Sequence, residues 1–344
     1  MTTQRIKELD LIRTVAIASV LMIHTSSFYV WFAKDFSWAG YFLYYAATSF
    51  SVPLFITLSG ILLGLSTRAK GQNYFTTLKR RFIYICIPYV AWSIFYLLYQ
   101  NQPLTLPTLL SHLAKGSAFF HLYFLSIIIQ LYVLSPAFIY FSRREFRPHH
   151  LIVVFVAQLL IIELSKTFAP TIYNFLSKSF FIHWIFYFYA GCAIGSHYDR
   201  FKAIAENWRN AAIPLIFSIL IYKIGDFYYA TQIAQKAPIY SYAQVQSLEN
   251  IPYTLLICAA LVGFGFSTKC THLDKGIQLI SKGAFGIYLC HMFILRLLKE
   301  AFQIYEISFN NYIALLTFLL TLGTALIAST LIRKLPYGSL IVGK

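Results

Sequence analysis

Long apolar runs alternate with short polar segments along the whole 344-residue chain. A helix that crosses the hydrocarbon of a bilayer needs about 20 mainly apolar residues. Ten stretches meet or approach that length: 9–32, 41–65, 82–100, 119–141, 151–168, 180–197, 211–230, 250–267, 280–298 and 311–332. The polar segments between them are too short for a soluble domain of ordinary size. The pattern predicts an all-α, polytopic transmembrane helix bundle of about ten spans. It forms one integral-membrane domain over 1–344, with no added soluble domain expected. The first run has a long apolar core, and no small-x-small site precedes a polar start in Thr25-Ser26-Ser27-Phe28. It therefore reads as a span and not as a cleaved signal peptide. Two small-xxx-small pairs, Gly60/Gly64 and Gly191/Gly195, are expected to let neighbouring helices approach closely.

Composition points the same way. Hydrophobic residues are 58% of the chain and charged residues 12%, against about a quarter charged in a soluble domain. Gly (16) and Pro (11) are too scarce for a collagenous or low-complexity chain. The formal net charge of +16 would suggest nucleic acid in a soluble protein. Here the cations fall in short clusters between apolar runs, and no basic-aromatic binding module is present, so no nucleic-acid partner is expected. The five cysteines are scattered without CxxC spacing and read as small apolar packing residues.

The cations also orient the chain. With the N-terminus in the cytoplasm, ten spans return the C-terminus there. The cytoplasmic segments and adjoining span ends then hold nineteen Lys and Arg, among them Arg5, Arg68, Lys79, Arg80, Arg81, Arg143, Arg200, Lys282 and Arg333. The outer segments hold six: Lys34, Lys115, Lys166, Lys178, Lys236 and Lys299. Cytoplasmic enrichment of Lys and Arg is what sets orientation during insertion. The expected setting is a bacterial cytoplasmic membrane, with membrane lipid as a partner.

Ionisable residues at membrane depth are costly and normally face a polar interior. The first span carries Asp10, Arg13 and His24. Eleven residues are close to three helical turns, so Arg13 and His24 share a face about 16 Å apart along the axis. Asp10 lies one turn before Arg13 and can pair with it. A guanidinium can hold a phosphate or carboxylate, and an imidazole can take a proton from a hydroxyl. The competing structural reading has Arg13 snorkelling to the inner interface and His24 bonding a neighbouring helix. His121 opens the fourth span, as a substrate-side group or an interfacial belt residue. Tyr288 and His291 lie three apart on one face of the ninth span. Glu163 with Lys166, and Lys223 with Asp226, read as ion pairs. The run Lys79-Arg80-Arg81 either serves topology or binds a phosphorylated cytosolic molecule. No Walker loop, Rossmann fingerprint, HExxH, GxSxG or metal-spaced Cys/His set occurs, so ATP-driven, metal-dependent and serine-hydrolase chemistry have no support.

Leu9-Asp10-Leu11-Ile12-Arg13 through His24 resembles the Arg-x10-His signature of the membrane acyltransferase-3 family. Four further pieces fall in that family's order: Ser51-Val52-Pro53-Leu54-Phe55 to Ser59-Gly60, Lys79-Arg80-Arg81 with Pro88-Tyr89, His121-Leu122-Tyr123-Phe124-Leu125, and Gly283 to His291. The resemblance covers nearly the whole chain and is nearest to short single-domain polysaccharide O-acetyltransferases of the enterobacterial common antigen type. It departs at Tyr84, where a second arginine often follows the basic turn, at Ala284, where the ninth-helix motif usually has Ser, and at Tyr123, commonly Trp.

The resemblance implies transfer of an acyl group, usually acetyl, from cytosolic acetyl-CoA to a hydroxyl of a cell-surface glycan or its lipid-linked precursor. On that basis Arg13 and His24 are expected to be catalytic. Arg13, Lys79, Arg80 and Arg81 would bind the phosphates of the donor, and Asp10, His121, Tyr288 and His291 would line the acceptor side. Two other readings stand beside it. One is an exporter or flippase of a glycan or lipid-linked saccharide; the other is a non-catalytic scaffold, which leaves the shared face of Arg13 and His24 unexplained.

Overall fold

Every long apolar run that falls among the described residues folds as helix. The computed structural model describes residues 6–32, 50–68, 74–143, 147, 149–176, 179–206, 212–213, 215–217, 219–220, 250–267 and 271–343. Most of the expected seventh span (211–230), with Lys223 and Asp226, lies outside them, as do residues 41–49 of the second span and Cys270. The helices used below are α1 (Lys7–Thr25), α2 (Ser51–Arg68), α3 (Tyr74–Tyr99), α4 (Leu106–Lys115) and α5 (Tyr123–Ser142). They continue with α6 (His149–Phe168), α7 (Ile185–Ser196), α8 (Asn250–Ser267), α9 (Thr271–Ile304) and α10 (Asn311–Lys334). Among the described residues, six helices are long and apolar enough to cross a membrane: α2, α3, α5, α6, Lys275–Ile304 of α9, and α10.

The outward faces explain why this is a membrane protein. On α6, Ile152, Val153, Leu160 and Leu164 are all exposed; on α10, Leu315, Leu319, Ile327 and Leu331 are too. Apolar stripes of this length would be an aggregation hazard in water, whereas lipid chains cover them at no cost. The exception on α6 is informative. Gln158 is buried and its Oε1 accepts the Phe186 backbone N–H at 2.8 Å, so the one polar side chain turned inward satisfies the first turn of α7. Glu163 and Lys166 form the expected ion pair at 2.7 Å.

By backbone proximity the chain divides into two compact units, Met1–Leu54 with Lys202–Thr330 and Phe55–Phe201 with Leu331–Lys344. In the first, α1 packs on α8 and α9. Arg13 meets Ser281, His24 meets His291 and Phe28 meets Phe302. The numbers rise together, so α1 and α9 run parallel. In the second unit, Tyr132 stacks edge-on to Phe188 and Ser142 Oγ lies 3.2 Å from Ser196 Oγ, so α5 and α7 are parallel too. By contrast α3 runs against α5, with Tyr74 beside Ser135 and Arg81 beside Tyr132. These are the directions that strict alternation of spans requires of these pairs.

Helices α2 and α7 are also parallel and nearly touch. A Cβ built on Gly60 would fall 2.4 Å from the Phe188 carbonyl oxygen, and one on Gly64 2.5 Å from that of Cys192. From the other side, a Cβ on Gly191 would fall 2.1 Å from Thr57 O and one on Gly195 2.2 Å from Ile61 O. The two glycine pairs thus face each other level for level, the close approach their spacing predicts.

The ends of the runs follow the sequence expectation at the first span and depart from it in two places further on. The first run is helical nearly to its expected end: α1 reaches Thr25, a one-residue turn follows at Ser26, where the Ser26 and Ser27 hydroxyls donate back to the Ile23 and His24 carbonyls, and a short helix covers Ser27–Phe32. Helix α3 begins at Tyr74, which puts Lys79, Arg80 and Arg81 on the helix and not in a turn before it. Lys and Arg are good helix formers whose long stems reach an interface from within a helix. Between α3 and α5 lies the amphipathic α4, with Leu106 and Leu110 exposed. It is capped by Thr105 and closed by Gly116, whose φ of +65° suits glycine.

Candidate functional site

Helix α1 buries Ile12, Ala16, Ile17 and Leu21 completely, and that apolar contact fixes its rotation against its neighbours. With this face set, Asp10, Arg13 and Thr14 meet the early part of α9. Arg13 Nη1 donates to Ser281 Oγ at 3.0 Å, and Ser281 Oγ donates to Asp10 Oδ1 at 2.7 Å. The direct distance from Arg13 Nη1 to Asp10 Oδ1 is 3.7 Å, so the serine hydroxyl bridges the ion pair. Thr14 Oγ1 donates to the Ile277 carbonyl at 3.0 Å, a second tie between the same helices. The Arg13 and Asp10 side chains keep 27% and 13% of their surface exposed, so this level is polar without being sealed.

About three turns further along, the last turn of α1 brings His24 against α9. The His24 and His291 rings lie 5.2 Å apart between centroids, and Tyr288 lies 5.7 Å from His291. His291 and Tyr288 are buried, His24 half-buried. The Tyr288 carbonyl lies 2.6 Å from His291 Nδ1. A carbonyl only accepts, so Nδ1 carries the proton and a neutral His291 offers Nε2 as an acceptor. One unit therefore presents a guanidinium–serine–carboxylate level and a two-imidazole level on the same pair of helices. Chemically, the first can hold an anion and the second can accept and pass a proton.

The structure brings Asp10 to Arg13 and brings His24, Tyr288 and His291 together; all five lie in the first unit. Lys79, Arg80, Arg81 and His121 lie in the second. Lys79 and Arg80 are exposed. Arg81 has its guanidinium engaged, donating to the Leu62 carbonyl at 2.8 Å and to Tyr132 Oη at 3.1 Å. Replacing Arg81 with Gln is expected to destabilise the protein by about 1–3 kcal/mol, the worth of hydrogen bonds from a charged donor. A lowered unfolding midpoint in detergent is the expected measurement. His121 is 2% exposed in the turn before α5, ringed edge-on by Tyr96, Phe119 and Phe120. The ring itself is covered by these neighbours, while Phe120 beside it is exposed.

Ser281 is the member of this cluster that sequence reasoning passed over. Its only signal is register: Ser281 precedes His291 by ten residues much as Arg13 precedes His24 by eleven.

The acyltransferase-3 family, described as an acyltransferase domain, matches residues 6–334. The chain belongs to that family. It is 27% identical over 314 residues to the probable poly-beta-1,6-N-acetyl-D-glucosamine export protein of Staphylococcus aureus strain MRSA252, covering 86% of this chain and 83% of that one. The protein of the same name from Staphylococcus epidermidis is 25% identical over 308 residues, covering 86% and 81%. No solved structure gives a significant match.

Proposed function

We propose that this member of the acyltransferase-3 family moves an acetyl group from cytosolic acetyl-CoA to a hydroxyl of a cell-surface glycan or its lipid-linked precursor. It would do so in a bacterial cytoplasmic membrane, as a bundle of about ten spans with both termini inside. The observation that carries the reading is the parallel α1–α9 pair, with an anion-holding level around Arg13 and a proton-accepting level around His24. The pairwise helix directions support the span count, because each of the parallel pairs described above joins spans of like parity.

In this reading Arg13, held by Asp10, takes a phosphate of the donor. Lys79 and Arg80, in the other unit, are exposed cations of a kind that binds phosphate, whereas Arg81 is bonded to Leu62 and Tyr132. His24 removes the proton of the acceptor hydroxyl as its oxygen attacks the thioester carbonyl. The C–S bond then breaks and the proton passes to the departing CoA sulfur. An acyl group carried first on His24 would reach the same products. Tyr288, His291 and His121 are the proposed acceptor-side groups, able to orient the hydroxyl or stabilise the oxyanion.

The names of the staphylococcal relatives favour a second reading, export of an N-acetylglucosamine polymer. One experiment separates the two. Surface polysaccharide is analysed for ester-linked acyl groups with and without the gene, and purified protein is assayed for release of CoA from acetyl-CoA. Loss of esters together with slow CoA release is the expected result. Unchanged esters, no CoA release and glycan retained inside the cell would establish export instead.

A further inference from the structure

We propose that Ser281 is a positioning residue for Arg13, a latch that sets where the guanidinium meets the anionic end of the donor. This rests on the acyltransferase reading above. The hydroxyl has one proton, and that proton is committed to Asp10 Oδ1 at 2.7 Å. Its oxygen in turn accepts Arg13 Nη1 at 3.0 Å. Ser281 is buried at 2% exposure on α9, so both charged side chains of α1 are tied to a fixed point on another helix. Their direct separation is 3.7 Å, beyond a hydrogen bond, so the serine supplies the hydrogen-bonded link between them.

The same geometry argues against a nucleophilic serine. A group that donates to a carboxylate and accepts from a guanidinium has a neighbour able to take its proton, as a nucleophile needs. However, the guanidinium it receives draws electron density from the oxygen, and the imidazoles of His24 and His291 lie at the other level of the helix pair. Ser281 acts through Arg13.

Ser281→Ala is expected to raise the KM for acetyl-CoA about tenfold, the worth of one charge-assisted hydrogen bond, with kcat little changed. Ser281→Thr, which keeps the hydroxyl, restores the wild-type KM. In an Arg13→Ala background, Ser281→Ala adds nothing further, because the residue has no other route to the donor. Thr14→Val removes the parallel tie to Ile277 O and reports what loosening α1 from α9 does by itself.

The latch is overturned if Ser281→Ala leaves the KM unchanged, if Thr14→Val raises it equally, or if kcat collapses and an acyl-serine is trapped. Failure of the underlying reading looks different: wild-type protein then neither binds CoA nor releases it from acetyl-CoA.

Discussion

Replacing His24 with alanine is expected to abolish acyl transfer while the protein still inserts and folds. The expected loss is about 10²- to 10⁴-fold, the range associated with removing a general base. A residue that instead carried the acyl group would lose at least as much. Folding is expected to survive because His24 is half-buried in the last turn of α1, where the core contacts of Ile17, Val20 and Leu21 remain. Its ring contact with His291 is a single interaction among many on that helix. The measurement is CoA release and glycan ester formation by purified protein, with size-exclusion profile and unfolding midpoint as controls. A His24→Ala protein that retains wild-type turnover would remove His24 from the chemistry. The same variant separates His24 from Arg13, since loss at the imidazole falls on kcat and loss at the guanidinium on KM.

The six described helices long and apolar enough to cross a membrane are legible because membrane insertion is encoded locally. An apolar run of about 20 residues has few alternatives to a helix in lipid. The glycine pairs were legible for a similar reason, since small residues spaced by four have one obvious use on an apolar helix. What eluded sequence reasoning depends on partners distant in the chain. Ser281 matters through Asp10 and Arg13, more than 260 residues away, and nothing around it marks a serine as a bridge. Arg81 looks like its neighbours Lys79 and Arg80, yet Leu62 and Tyr132 occupy its guanidinium. His121 sits in an aromatic stretch, but its ring contact with Tyr96, a full helix away in the chain, cannot be read from that stretch.

The largest structural effect is expected from Gly191→Leu. A Cβ at that position falls 2.1 Å from the Thr57 carbonyl oxygen, 2.9 Å from its carbon and 3.0 Å from Gly60 Cα. All three are backbone atoms, so no side-chain rotation relieves the clash and α2 must move away from α7. That movement also opens the second level, where Gly64 and Gly195 meet, so the close contact is lost along both turns. Without a hydrophobic force between helices in lipid, this backbone-to-backbone packing is a main source of their association. The expected cost is about 3 kcal/mol or more, at the upper end for overpacking, seen as a lower unfolding midpoint and a poorer yield of monodisperse protein. Gly191→Ala should already be destabilised, by less. Gly323→Leu is the matched control, because a Cβ at Gly323 meets nothing within 4 Å and it adds the same side chain to an open site. Equal midpoints for Gly191→Leu and Gly323→Leu would mean that α2 and α7 do not cross here. They would also remove the parallel direction assigned to that pair, since only a parallel crossing sets Gly60 against Gly191 and Gly64 against Gly195.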